Sequence, residues 1–222
     1  MTSDDEDGVF ESVGALSDRV RRALYRHVVA SPDPVGRDAA AEAAGISRSL
    51  AAFHLDKLVE AGLLAVTYQR LSGRTGPGAG RPAKLYRRAE NEHTVSLPPR
   101  TYGSVGRLLA AVVDAAGLDR ELQSAARSAG AAEGEALAGA LDPVAALRSR
   151  GYEPYWEERT LRLNNCPFHA LADEFPALVC GMNLALIEGL LPGCAGGQDW
   201  TAVMDPPPHG CCVALKSKTN NR

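Results

Sequence analysis

Cysteine and histidine are the side chains through which this 222-residue chain could do chemistry, and all five of its cysteines lie in the last third. The stretch NCPFHALADEFPALVC, residues 165 to 180, holds Cys166, His169 and Cys180. Cys194 follows in GCAGG, and Cys211 and Cys212 stand side by side near the end. Thiolates and imidazoles of this kind hold tetrahedral zinc or an iron–sulfur cluster. A ligand set would draw on three segments: Cys166, Cys180, one of the terminal pair, and a fourth from His169 or Cys194. Spacing alone does not separate such a site from inert thiols, because the chain has no C-x-x-C pair and free cysteine is among the most buried residue types. Strand alternation over CCVALK sets Cys211 with Val213 and Leu215, and Cys212 with Ala214 and Lys216, so Cys211 is the inward member. A thiol-dependent enzyme fits less well. Adjacent cysteines are geometrically poor disulfide partners, and the chain has no Walker loop, dinucleotide fingerprint or G-x-S-x-G elbow. Glu133, Glu135, Glu157 and Glu158 read as solvated charges rather than an acid–base pair.

The elements that would position these groups begin with a division of charge. Residues 1 to 16 hold five acidic side chains and no Lys or Arg, the composition of a disordered acidic tail. Residues 17 to 90 hold 13 Lys and Arg against 7 Asp and Glu, while the rest is mildly acidic. A segregated basic third is the electrostatic footprint of a nucleic-acid-binding module joined to something else. The acidic start is unlike a signal peptide, and no apolar run approaches the roughly 20 residues of a membrane span. A cytoplasmic setting without a membrane partner is expected. Thiols stay reduced there, and five cysteines, an odd number, argue against a disulfide framework.

Within the basic third, LSDRVRRALYRHVVA repeats apolar residues at Leu16, Val20, Leu24 and Val28, a helical stripe that Ser17 can cap. RDAAAEAAG is a short helix ended by Gly45, and ISRSLAAFHLDKLVEAGLL a longer one with Ser47 as N-cap and Leu50, Leu55, Leu58 and Val59 facing inward. Two helices joined at a glycine turn make a helix-turn-helix, whose second helix enters the major groove. Arg48 can pair with guanine, Ser49 can serve either base type, and Ala52 or Phe53 can meet a thymine methyl. Ser47 and Lys57 lie on the same helix. His54 reads as a packing residue. LLAVTYQRL and AKLYRRA are strands flanking SGRTGPGAGRP, a wing whose tip carries Arg74 and Arg81, with Lys84, Arg87 and Arg88 adding attraction for phosphate.

The run from ISRSLAAFHLDKLVEAGLL to GRTGPGAGRPAKLYRRA resembles the winged helix of bacterial ArsR-like regulators. Its GRP-x-K-x-Y wing, with NCPFHALA, LVCGMN and CCV in that order, is similar to the branch of Suf-operon repressors, which control iron–sulfur assembly genes. The resemblance implies a homodimeric repressor binding inverted-repeat DNA, with a four-iron cluster on Cys166, Cys180 and Cys211. His169 is the first choice for a fourth ligand, with Cys194 or Cys212 in reserve. Zinc, or an organic ligand or thiol sensor in the same domain, is the alternative.

The expected fold is α+β: a winged helix-turn-helix over 17–92, a helical linker and dimerisation region over 93–142, and a cysteine-bearing α+β sensor domain over 143–222. LPPRTYGSVGRLLAAVVDAAG, with Val105, Leu108, Leu109, Val112 and Val113 at helical spacing, serves equally as a dimer helix or as a helix packed within its own chain. YEPYWEERTLRLNN suits a hairpin tipped at Glu157 and Glu158. Cys166 is expected to open a helix, and WTAVMD and CCVALK are expected as strands.

Overall fold

The computed structural model describes residues 3–70, 82–90, 92–98, 100–207 and 210–218. They form two compact units, Met1–Arg100 and Thr101–Arg222.

The first unit runs α1 (Ser3–Ala15), α2 (Arg19–Ala30), β1 (Val35–Gly36), α3 (Arg37–Ala44), α4 (Arg48–Glu60), β2 (Leu64–Gln69) and β3 (Ala83–Arg88). α2 begins where the Asp18 carboxylate accepts from the Arg21 N–H at 2.8 Å, so Asp18 rather than Ser17 is its cap. α3 stops at Gly45, whose φ of 64° is the left-handed conformation that glycine adopts without penalty. The three strands pair antiparallel in the order β1-β3-β2, with Val66 opposite Tyr86. Leu24, Val28, Ala51, Leu55, Leu58, Leu64 and Tyr86 form the core, each large apolar side chain contributing about 1.5–3 kcal/mol on burial. Leu50 departs from the expected inward stripe: it is 41% exposed, because the first turn of α4 projects past the core. The expected disordered tail carries α1 instead, where the buried Ser12 hydroxyl donates to the Ala61 carbonyl at 2.7 Å. That bond joins positions 49 residues apart and leaves no trace in local composition.

The second unit runs α5 (Tyr102–Ala115), α6 (Asp119–Leu137), α7 (Pro143–Ser149), β4 (Pro154–Glu157), β5 (Thr160–Leu163), α8 (His169–Glu174), α9 (Pro176–Leu190), β6 (Trp200–Met204) and β7 (Val213–Ser217). The region 93–142 therefore forms no unit of its own, since α5 and α6 belong with the helices and strands C-terminal to them. The sheet is antiparallel throughout, in the order β4-β5-β7-β6, and Glu158 takes a φ of 53° in the β4–β5 turn. Leu161, Leu163, Val213 and Leu215 share a core with Ile187 and Leu190 of α9. α9 is apolar enough over Pro176–Gly193 to cross a membrane by length and composition. Here it is the central core helix, its other side laid against α6.

The α6–α9 contact explains the Ala/Gly-rich text between 124 and 142. A Cβ on Gly130 would stand 2.0 Å from the Leu186 carbonyl oxygen, and one on Gly189 2.1 Å from that of Arg127. The two backbones touch, so any side chain at these positions would force the helices apart. α5 is the opposite case, for it buries no residue, and Tyr102, Val105, Leu108, Leu109 and Val112 are all exposed.

Candidate functional site

Three segments deliver the cysteines. Cys166 sits in the turn after β5, its carbonyl accepting from the His169 N–H at 3.1 Å, so α8 starts three residues later than expected. Cys180 lies on α9, while Cys211 and Cys212 immediately precede β7. The thiols of Cys166, Cys180, Cys211 and Cys212 influence one another electrostatically, but among the described residues no group of three or more Cys, His, Asp or Glu is arranged to hold a metal ion. All five cysteines are free. His169 stands apart from them: it is exposed, with Nδ1 3.5 Å from Asp173 Oδ1 on the next turn of α8. Its side chain leaves the face that a helix already begun at Cys166 would have shared. Cys194 is also elsewhere, buried with its thiol turned to the Leu190 carbonyl at 3.6 Å. Of the suggested fourth ligands, Cys212 is the one adjacent to Cys211, and it packs against the same core.

Burial raises the cost of ionising these thiols, and the neighbouring thiols act in both directions. Cys211 and then burial push the Cys166 thiol well above its ordinary range. Burial raises Cys180, against a smaller opposing effect of Cys212. Cys166 favours the Cys211 thiolate, but Cys212 and burial outweigh it and hold Cys211 up at about 11. The shifts favour the neutral thiol at Cys166, Cys180 and Cys211.

Two N–H groups already point at the Cys211 sulfur. Asn183 Nδ2 donates to Sγ at 3.3 Å and the Val213 N–H at 3.5 Å. Asn183 is fully buried, and its Oδ1 accepts from the Tyr152 hydroxyl at 2.5 Å. Burial in turn raises Tyr152 far above the ordinary phenol range, so it stays a donor. Sequence reasoning passed over both residues. The available signal was a lone amide, three residues after Cys180, in the otherwise apolar LVCGMNLALI.

The other polar surface belongs to α4. Ser47 caps it, accepting from the Leu50 N–H at 3.3 Å, and lies 3.2 Å from the Ser49 hydroxyl. Arg48 and Ser49 stand on the surface, Phe53 is exposed beyond them, and Ala52 is half-buried. Arg48 Nε meets Asp38 Oδ1 of α3 at 2.6 Å. Lys57 is paired with Glu60 at 2.6 Å. His54 packs in the core, its ring edge-on to Phe53 at 5.3 Å. Lys84, expected to face phosphate, is bound to Asp56. Arg74 and Arg81 lie outside the described residues.

Residues 16–67, which span α2 to the middle of β2, match the family model of a helix-turn-helix domain. The first unit contains a helix-turn-helix DNA-binding domain. Comparisons with curated proteins and with solved structures return no match. The helix-turn-helix supports a DNA-binding transcription regulator. Sequence reasoning missed Asp38 and Asp56 there, because a carboxylate in a DNA-binding surface is recognisable only from the cation it holds.

Proposed function

We propose that this regulator is a homodimer that binds inverted-repeat duplex DNA, and that its operator affinity is set by an iron–sulfur cluster held by Cys166, Cys180, Cys211 and Cys212. What supports the reading is that Cys211 is buried with two N–H donors on its sulfur while Cys166 and Cys212 pack against the same core. Four cysteines, two N–H donors on the Cys211 sulfur and a buried amide oriented by Tyr152 are donor chemistry that a cluster would use, and loading would have to draw the thiols together, since among the described residues they form no ready-made metal-holding group. The wing and cysteine order that resemble the Suf-operon repressors favour a cluster over zinc, which needs sulfurs at about 2.3 Å from one point. When bound, a cluster supplies a cross-link between three segments that oxidation or iron loss can undo.

The chain's own residues carry the consequence onward. Cys166 anchors the turn that leads into α8. α8 packs on α5, where Glu174 Oε1 meets Arg107 Nε at 2.5 Å and Leu171 lies 3.7 Å from where a Cβ of Gly106 would be. α5 offers the apolar face on which two copies would pair, a face with no buried residue in its own chain. Fixing or freeing the Cys166 turn thereby biases the dimer helix, and with it the spacing of the two copies of α4.

The test is anaerobic purification followed by iron, acid-labile sulfide and visible absorption, with each cysteine changed to Ser in turn. Loss of iron and sulfide in the Cys166, Cys180, Cys211 and Cys212 variants, with Cys194→Ser unaffected, is expected. DNA affinity is expected to differ between loaded and stripped protein. One zinc without sulfide, or metal-free protein with unchanged DNA binding, would overturn the reading.

A further inference from the structure

At the root of the wing, one carboxylate holds together three elements of the helix-turn-helix unit. Asp56 lies on α4, one turn beyond Ala52 and Phe53. Its Oδ1 accepts from Lys84 Nζ at 2.6 Å and from the Tyr86 hydroxyl at 2.7 Å, both on β3. The same hydroxyl accepts from Arg37 Nε at 3.0 Å, at the start of α3, and Arg37 Nη2 is 3.6 Å from Asp56 Oδ2. The Lys84 ammonium also stands 5.3 Å from the centre of the Tyr86 ring. Tyr86 is fully buried, and the Lys84 side chain is only 25% exposed.

Position makes this cluster more than a surface ion pair. β3 pairs antiparallel with β2 and follows the segment read from the sequence as the wing tip, and Lys84 is its second residue. α4 is the helix whose exposed end reads bases. A bond from Asp56 to Lys84 therefore fixes the root of one DNA-contacting part against the other. Burial by itself would raise the pKa of Asp56; the bonds from Lys84 and Tyr86 outweigh it and hold the carboxyl below the usual value, so the clasp is charged at neutral pH. An ammonium engaged in this way cannot turn to a phosphate without leaving a half-buried carboxylate uncompensated.

We propose that Asp56 is a positioning residue for sequence reading, clasping the wing to the recognition helix through Lys84 and Tyr86, and that Lys84 acts through this clasp rather than on DNA phosphate. The proposal rests on the DNA-binding reading and is independent of the cysteines. It separates two roles for the same lysine that differ in what salt does to them.

The experiment uses the full chain and two probes: a duplex that the wild-type chain enriches from a random-sequence pool, and a shuffled duplex of equal length. Both are titrated over a range of salt. For Lys84→Met the expected result is about a tenfold loss of preference for the enriched duplex, with the slope of log affinity against log salt unchanged. Asp56→Asn should lose the same preference, the double variant should be no worse than either single one, and Asp56→Glu should recover part of it. A Lys84→Met slope smaller by about one phosphate, with both duplexes weakened equally, would overturn the proposal. So would a folded Asp56→Asn chain with undiminished preference. Should Asp56→Asn fail to fold, the Lys84→Met slope and preference decide alone. Failure of the wild-type chain to enrich any duplex would instead remove the DNA-binding reading, and the proposal with it.

Discussion

In the helix-turn-helix unit, Arg48, Ser49 and Phe53 stand on the surface, apart from the Leu24, Leu55 and Leu58 that hold the unit together. In the second unit, Cys211 and Asn183 are themselves interior residues, and Cys166 and Cys212 pack against the same core. The difference teaches where a change will be felt. An exposed residue of α4 can be altered at little cost to folding, whereas Cys211 and Asn183 belong to the packing of their unit. Charge follows the same division: carboxylates hold cations around α4, while neutral thiols and an amide hold one another between α9 and β7.

The largest expected effect breaks the second unit without touching a cysteine. Gly189→Ala puts a methyl group where the Arg127 carbonyl oxygen would be 2.1 Å away, and Gly130→Ala does the same against Leu186. Backbone-to-backbone contact cannot yield by a side-chain rotation, so each should cost about 3 kcal/mol or more, read as a fall in the denaturant midpoint of the second unit. An unchanged midpoint would show that α6 and α9 do not touch backbone to backbone.

The next sharpens the claim that the thiol site is interior. Asn183→Leu leaves the buried Tyr152 hydroxyl without its acceptor and should destabilise by about 1–3 kcal/mol. Adding Tyr152→Phe removes the orphaned hydroxyl, so the double variant should be more stable than Asn183→Leu alone. Equilibrium unfolding of the set measures this coupling, and simple additivity would count against it.

On the surface of α4 the balance is reversed. Arg48→Ala should leave unfolding within about 0.5 kcal/mol of wild type while weakening discrimination at one base position per half-site by about 1–3 kcal/mol. A stability loss as large as the binding loss would erase the contrast between the units.

The smallest effect is one of pH. The Asp56 carboxyl is held below its usual range, so its contribution to the first unit is complete above the ordinary carboxylate range and is lost as pH falls through the depressed value. The melting temperature of the first unit should drop on acidification below about pH 4, and Asp56→Asn should flatten part of that drop. An unaltered profile in the variant would show that the clasp is not what titrates.

Much of the first unit could be read from the chain, because its signals are local. Four-residue recurrence marked α2, Gly45 marked the end of α3, and Ser47 marked the start of α4. Where local logic failed, the cause was tertiary. Leu50 continued an apolar stripe past the edge of the core, and α1 is tied down by a bond to Ala61 that acidic composition gives no hint of. In the second unit the gap is wider. Gly130 and Gly134 look like low complexity until α9 is laid against them. His169 was favoured by nearness to Cys166, but α8 begins only at His169, so the two never share a helical face. Cys212 was assigned outward by strand alternation, yet β7 begins only at Val213, and alternation has no hold on the residue before it.

Helix α5 carries one more consequence. Its apolar side chains are exposed among the described residues, so a partner that covered them would enter the folding equilibrium as a reactant. Were that reactant a second copy, as proposed above, dilution would weaken the protein and accumulation strengthen it by mass action. A regulator built this way responds to its own abundance before it meets any signal.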